Sequence, residues 1–239
     1  MSRRCLVIGG TRGIGAALVG ALHARGDSVW ASGRDADSIA AAAVRAPGVH
    51  WTALDLARER DPAAWLARLG GPPFDLVVLS AAVQCERDFT RTRGGDEAYS
   101  IEDEIRIDLL APILLSRALP PHLAGGATVV FITSGLALAP KRASPVYCAA
   151  KAGLRSFATA LRAQWAHRGI RVVEALPPLV DTDMTRGRGT RKMAPAAVAD
   201  AILRGLDAGR REIDIGATRL LRLLLRLSPA LAERIMLGR

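Results

Sequence analysis

The sequence predicts an α/β protein, a doubly wound parallel sheet of about seven strands with helices on both faces in a single domain. Three observations predict it. Short runs rich in Val, Ile, Leu and Ala alternate with longer stretches of helical periodicity along the chain. No linker, internal repeat or low-complexity segment interrupts the alternation. The first apolar run ends in a glycine-rich turn that opens a helix, the order expected at the start of such a sheet.

The first strand is read at residues 4–8, Arg4-Cys5-Leu6-Val7-Ile8, followed by Gly9-Gly10-Thr11-Arg12-Gly13-Ile14-Gly15 and an Ala/Leu-rich amphipathic helix ending near Arg25. Further strands are expected at residues 28–32, 49–54, 75–80, 127–133, 170–175 and 211–215, each separated by a helical pattern. Residues 1–216 therefore read as the sheet domain and 217–239 as a C-terminal helical extension. In Arg219-Leu220-Leu221-Arg222-Leu223-Leu224-Leu225-Arg226-Leu227 the arginines cluster on a narrow helical face and leucines cover the rest. Such a helix must bury its leucines against its own domain, a neighbouring subunit or an anionic bilayer. Packing on protein is the first reading and peripheral membrane contact the minority one.

Composition narrows the setting. Half of the 239 residues are hydrophobic, enough for a large core. No uncharged apolar run reaches the roughly 18 residues of a membrane span, and Cys5 to Ile8 is too short for a signal-peptide core. Cys5, Cys85 and Cys148 are odd in number and lack metal-ligand spacing, so no metal is expected and the cytoplasm is the simplest location. The net charge is +10, but the basic residues are spread along the chain and aromatics make up 4%. With no helix-turn-helix pattern or stacking platform, specific nucleic-acid binding is not expected.

Two motifs carry chemistry. Glycines after a first strand let the backbone turn tightly and approach a pyrophosphate, which rests on the exposed N–H groups and positive dipole end of the following helix. This reads as a Rossmann-type dinucleotide site. The second motif is Tyr147-Cys148-Ala149-Ala150-Lys151, with Ser134 upstream at the end of the apolar run Thr128-Val129-Val130-Phe131-Ile132-Thr133. A spacing of four puts Tyr147 and Lys151 on one helical face, about 6 Å apart along the axis. An ammonium at about 4–5 Å favours phenolate by up to roughly 4 kcal/mol, or about three pKa units, and would bring Tyr147 towards neutrality. Tyr147 would then exchange a proton with a substrate oxygen held by Ser134. Tyr-x-x-x-Lys alone is a common helix-surface pattern; its coincidence with the glycine turn makes the assignment specific.

In these residues the chain resembles the short-chain dehydrogenase/reductase family from Cys5 to about Asp214. Gly9, Gly13 and Gly15 match that family's spaced glycines, and Ser134, Tyr147 and Lys151 its catalytic set in type and spacing. The last stretch, with Pro177 to Met184 and Leu227 to Arg234, resembles the branch associated with D-alanine esterification operons. The resemblance implies that Thr11, Arg12 and Ile14 contact the cofactor along with the glycines. It also implies that Asp55 and the adjoining Leu56 meet the adenine, and that Lys151 holds the nicotinamide ribose beside Tyr147. Pro177, Val180 and Thr182 match positions around the nicotinamide carboxamide and the phosphates. Three departures stand out. Ser80-Ala81-Ala82 replaces the family's Asn-Ala-Gly at the fourth strand end, after Leu79 in place of a further Asn, and Pro178 replaces a glycine. Asp108 occupies the place of an asparagine that helps organise a water relay to the lysine. An altered pH dependence is expected from that added charge.

The residues also favour one nicotinamide cofactor. An NAD enzyme usually ends its second strand with an acid that bonds the adenine ribose. Here that slot is Gly33, followed by Arg34, with Arg12 in the glycine turn, so two guanidinium groups could bracket a 2′-phosphate. NADP(H) is the expected cofactor, with Asp35 as the countervailing feature. Asp55 also reads as a helix cap.

Three segments should shape the substrate pocket: Val83–Tyr99, Leu136–Pro145 and Thr185–Met193. They carry Arg87, Arg91, Arg93, Lys141, Arg142, Arg186, Arg188, Arg191 and Lys192. For any one of them solvated loop charge is the simpler reading, recognition of an anionic substrate or carrier phosphate the alternative. Gly187 and Gly189 mark the last segment as a mobile lid over the site. The expected function is NADP(H)-dependent hydride transfer between nicotinamide and a small carbonyl compound or secondary alcohol, in a homodimer or homotetramer. The alternative is a nucleotide-binding regulator or scaffold on the same fold, in which Asp108 and the altered fourth-strand motif mark redirected chemistry.

Overall fold

The computed structural model describes residues 2–91 and 97–238. Seven strands, β1 (Arg4–Ile8), β2 (Ser28–Gly33), β3 (His50–Ala53), β4 (Phe74–Leu79), β5 (Leu123–Ile132), β6 (Arg171–Leu176) and β7 (Glu212–Asp214), form one sheet. Its order is β3-β2-β1-β4-β5-β6-β7 and every pairing is parallel. Parallel neighbours need crossovers, supplied by α1 (Gly13–Ala24), α2 (Ala36–Arg45), α3 (Pro62–Arg68), α4 (Ile101–Ile105), α5 (Ala111–Ala118), α6 (Pro145–Trp165) and α7 (Pro195–Asp207). Two C-terminal helices follow, α8 (Ala217–Leu227) and α9 (Pro229–Leu237).

The central strands are apolar at nearly every position because both faces are covered. On one face Leu6, Val77, Val129 and Phe131 meet Trp65 of α3, Leu115 of α5 and Leu154 of α6. On the other Val7, Val78, Val130 and Val173 meet Leu18 of α1 and Ile202 of α7. Phe131 is fully enclosed, a burial that contributes up to about 3 kcal/mol.

Strand limits follow the sequence reading to within one residue, except that β5 begins at Leu123, ahead of the expected residue 127. Leu123 pairs with Phe74 and the next pair is Thr128 with Leu76, so Ala124-Gly125-Gly126 lies in a register shift. Those small residues carry no apolar period, which hides this stretch from pattern reading.

The C-terminal extension departs from the expected arrangement at Arg222. Arg222 turns inward to Asp214 and Glu212 at the end of the sheet, and Arg219 donates to the Asp214 carbonyl at 2.8 Å. Thr218 is buried and Leu221 half-buried, whereas Leu220 and Leu227 are 68% and 75% exposed. Acids on β7 capture Arg222, while Arg226 is exposed and the leucine face is divided, with Leu221, Leu224 and Leu225 half-buried and Leu220, Leu223 and Leu227 outward. Ser228-Pro229 then breaks the helix, and α9 folds back with Ala232 and Met236 buried.

Candidate active site

The sheet reverses its winding between β1 and β4, and ligands bind such sheets at the carboxyl ends of the strands beside that point. A cavity of about 930 Å³ opens there. Every cofactor residue named from the sequence lines it, from Gly9 to Thr182, as do Ser134, Tyr147 and Lys151. Asp108 does not; it lies behind Lys151.

The glycine turn is sterically dictated. Gly9 has φ 84° and a Cβ there would stand 2.6 Å from the Ala81 backbone. A Cβ on Gly15 would stand 2.0 Å from the Gly9 carbonyl oxygen. Gly13, with φ 58°, lies against Thr182, which brings the segment after β6 over the start of α1. That helix begins without a side-chain cap and without an acid in its first turn, so its leading N–H groups face the cavity. These features fit a dinucleotide diphosphate. Asn-Asn-Ala-Gly is not needed to fix the β4 end: Ser80 and Ala81 both donate backbone N–H bonds of 2.9 Å to the Ile8 carbonyl.

At the end of β2, Thr11 and Ile39 fill the space where a Gly33 side chain would be, within 2.5 and 2.7 Å of its Cβ. Asp35 is engaged elsewhere, accepting the Ser38 N–H at 2.8 Å as the cap of α2 and pairing with Arg34 at 3.1 Å. Asp35 lines the cavity together with Arg12 and Arg34, but its carboxylate is already shared between Ser38 and Arg34. Arg34 also donates to the Tyr99 hydroxyl at 2.7 Å. Asp55 lines the cavity and accepts the Ala57 N–H at 2.9 Å within a turn, but it is not a helix cap: the next helix, α3, starts at Pro62 and is capped by Asp61.

Pro145 at the first position after Ser144 starts α6, placing Tyr147 in its first turn and Lys151 one turn on, with both buried. The Lys151 ammonium is 5.5 Å from the Tyr147 ring centre. It is also 3.6 Å from the carboxylate of Asp108, which sits fully buried in a π-helical turn, Arg106–Leu110. Asp108 Oδ1 accepts the Val83 N–H at 3.0 Å, while Oδ2 has no partner. Burial pushes the Asp108 carboxyl up to about 7, against the opposing pull of Lys151. The Tyr147 phenol is shifted upward, first by burial and then by Asp108, with the Ser134 hydroxyl pulling the other way. This corrects the expectation of a phenol drawn towards neutrality: Lys151 shares its charge with Asp108, and enclosure disfavours phenolate.

The chain matches the short chain dehydrogenase family over residues 3–192. It belongs to that family. Oxidoreductase DltE of Bacillus subtilis is 34% identical over 218 residues, covering 87% of this chain and 86% of that protein. L-xylulose reductase of Bos taurus is 30% identical over 203 residues, covering 84% and 81%. A Burkholderia cenocepacia short chain dehydrogenase crystallised in complex with NADP superposes with a TM-score of 0.87 at 24% identity, covering 99% of this chain and 98% of that one.

Within this short-chain dehydrogenase, several site-forming residues escaped sequence reading. Glu104, one turn before Asp108, is fully buried, accepts the Cys85 N–H at 3.2 Å and pairs with Arg87. The two acids together peg the segment after β4. An acid repeated at a spacing of four beside Ile101, Ile105, Ile107 and Leu109 was the available signal. Glu174 on β6 is likewise enclosed, accepts from the Thr133 hydroxyl at 2.7 Å and pairs with Arg155, which steadies the strand end carrying Ser134. Leu221 and Met236 of the C-terminal helices line the cavity. Of the loop cations, Arg87, Arg91, Arg186 and Lys192 pair with local acids. Lys141, Arg188 and Arg191 line the cavity, and Arg93 lies outside the described residues.

Proposed function

We propose that this short-chain dehydrogenase is an NADP(H)-dependent reductase of carbonyl compounds. One observation carries the reading: the Tyr147 phenol and Ser134 hydroxyl meet in the cavity whose far end is formed by the uncapped glycine turn, Arg12 and Arg34. When bound, the nicotinamide supplies a hydride to the carbonyl carbon. Ser134 orients the carbonyl oxygen, and Tyr147 donates a proton to it. The upward shift of the phenol suits that role, because a proton donor must enter the reaction protonated. Lys151, held by Asp108, presents a positive charge beside the phenol and stabilises the phenolate left after transfer.

Arg12 and Arg34 would bracket a 2′-phosphate, and the filled space at Gly33 keeps an acid from that position. The NADP named for the Burkholderia structure and the reductase names of the curated relatives support the same reading. The three cysteines are buried and unpaired, which fits the cytoplasm. Among the described residues no helix is long and apolar enough to cross a membrane. Assembly as a homodimer or homotetramer belongs to this reading and is tested by light scattering of the purified chain. The activity is tested by following NADPH oxidation over ketones, aldehydes and quinones, with NADH in parallel. Turnover preferring NADPH supports the proposal; tight NADPH binding without turnover of any of these compounds favours a nucleotide-binding regulator.

A further inference from the structure

We propose that the carbonyl substrate bears an anionic group, a carboxylate or a phosphate, that seats on Arg188 and Lys141 at the wall of the cavity. This rests on the carbonyl-reductase reading above and names the substrate class for that site.

Lys141 comes from the segment before α6, and Arg188 from the excursion after β6, whose ends meet through Val180 and Met193. Both line the cavity that contains Ser134 and Tyr147. Neither is a solvated loop charge: their side chains are 21% and 24% exposed. They converge on one carboxylate, Glu86, at 2.7 Å from Lys141 and 3.7 Å from Arg188. Two cations on one acid leave an excess positive charge, and the acid satisfies Lys141 far better than Arg188. The guanidinium is correspondingly underused. Nη2 donates to the Gln84 carbonyl at 3.3 Å, and Nη1 is shielded from solvent without any hydrogen-bond partner. Burying such a donor unpaired is unfavourable, and an arriving anion relieves it.

The position separates this anion from the cofactor's phosphates. Those belong at the glycine turn and at Arg12 and Arg34. Arg188 instead holds Gln84, whose side chain bonds Ser144, the residue that opens the Tyr147 helix. Gly187 and Gly189, at φ 76° and 57°, flank Arg188 and allow it to swing onto a ligand. Leu136, Leu221 and Met236 on the same cavity supply an apolar wall. The occupant is therefore a ketone or aldehyde with an apolar body and an anionic end.

The test compares 4-acetylbenzoate, 4-acetylphenyl phosphate and methyl 4-acetylbenzoate as substrates at saturating NADPH. Wild type is expected to prefer at least one anion over the ester by about tenfold or more in kcat/KM, the scale of one charge-assisted hydrogen bond. The preferred anion identifies the group. Arg188→Gln should collapse that ratio towards one, while Arg186→Gln, paired with Asp183 on the exposed rim, should keep it. Equal or better use of the ester by wild type, or a ratio untouched by Arg188→Gln, overturns the proposal. If none of the three is reduced, carbonyl reduction is what fails in the assay, and calorimetric binding to the NADPH-loaded protein decides the anion site separately. Tighter binding of an anion than of the ester, lost in Arg188→Gln, upholds it; equal binding or none overturns it.

Discussion

Lys151 Nζ lies 3.6 Å from Asp108 Oδ1, and both side chains are sealed from solvent. The cation beside Tyr147 is therefore one half of a buried pair, and the charge felt by the phenol depends on the protonation of Asp108. Burial places that carboxyl at about 7. Below this pH the proton stays on Asp108 and Lys151 acts on Tyr147 alone; above it the carboxylate opposes phenolate formation.

Alcohol oxidation needs the phenolate, so its rate should rise at higher pH in the wild type than in Asp108→Asn. Removing the carboxylate removes one cause of the upward Tyr147 shift. The expected displacement is about one pH unit downward, the low end of the effect of a neighbouring charge. The pH profile of kcat/KM for a secondary alcohol with NADP⁺ checks this, and superimposable profiles would remove Asp108 from the proton chemistry.

Under the proposed function the choice of cofactor rests on Arg12 and Arg34. Arg34→Ala should raise KM for NADPH by about 10- to 100-fold, the loss of one or two charge-assisted bonds to a phosphate. KM for NADH should change little. An equal effect on both cofactors would place Arg34 outside 2′-phosphate recognition.

Gly15 has no room for a methyl group, since its Cβ would stand 2.0 Å from the Gly9 carbonyl oxygen. Gly15→Ala must push the start of α1 away from the turn, at a cost of about 1–3 kcal/mol. Thermal unfolding should show a lowered Tm, and added NADPH should restore less of it than it adds to the wild type.

The fold was legible because parallel strands covered on both faces announce themselves as apolar runs, and Val129-Val130-Phe131-Ile132 could be nothing else in this setting. The site was legible where chemistry demands fixed residue types, as at Gly9, Gly13, Ser134, Tyr147 and Lys151. What escaped depends on partners distant in sequence. Arg222 faces inward because Glu212 and Asp214 await it, a relation that a helical wheel does not contain. The shift of Tyr147 reverses because the π-helical turn brings Asp108 behind Lys151. Lys141 and Arg188 differ from the other loop cations only through the cavity they share.

The C-terminal helices complete the cavity through Leu221 and Met236 and are tied to β7 by Arg222. Deleting residues 217–239 should lower Tm and weaken carbonyl turnover more than NADPH binding, because the glycine turn is untouched. Full turnover by the truncated protein would exclude α8 and α9 from the substrate site.

In the proposed reaction Tyr147 delivers the proton in a reduction driven by NADPH. The deciding experiment compares the rate at which wild type and Tyr147→Phe reduce a ketone that the wild type turns over, with NADPH affinity determined on the same samples. In the variant kcat should fall by about 10²- to 10⁴-fold, the usual contribution of a positioned general acid, with Kd for NADPH nearly unchanged. Reduction of the ketone by the variant at the wild-type rate would show that Tyr147 is not the proton donor.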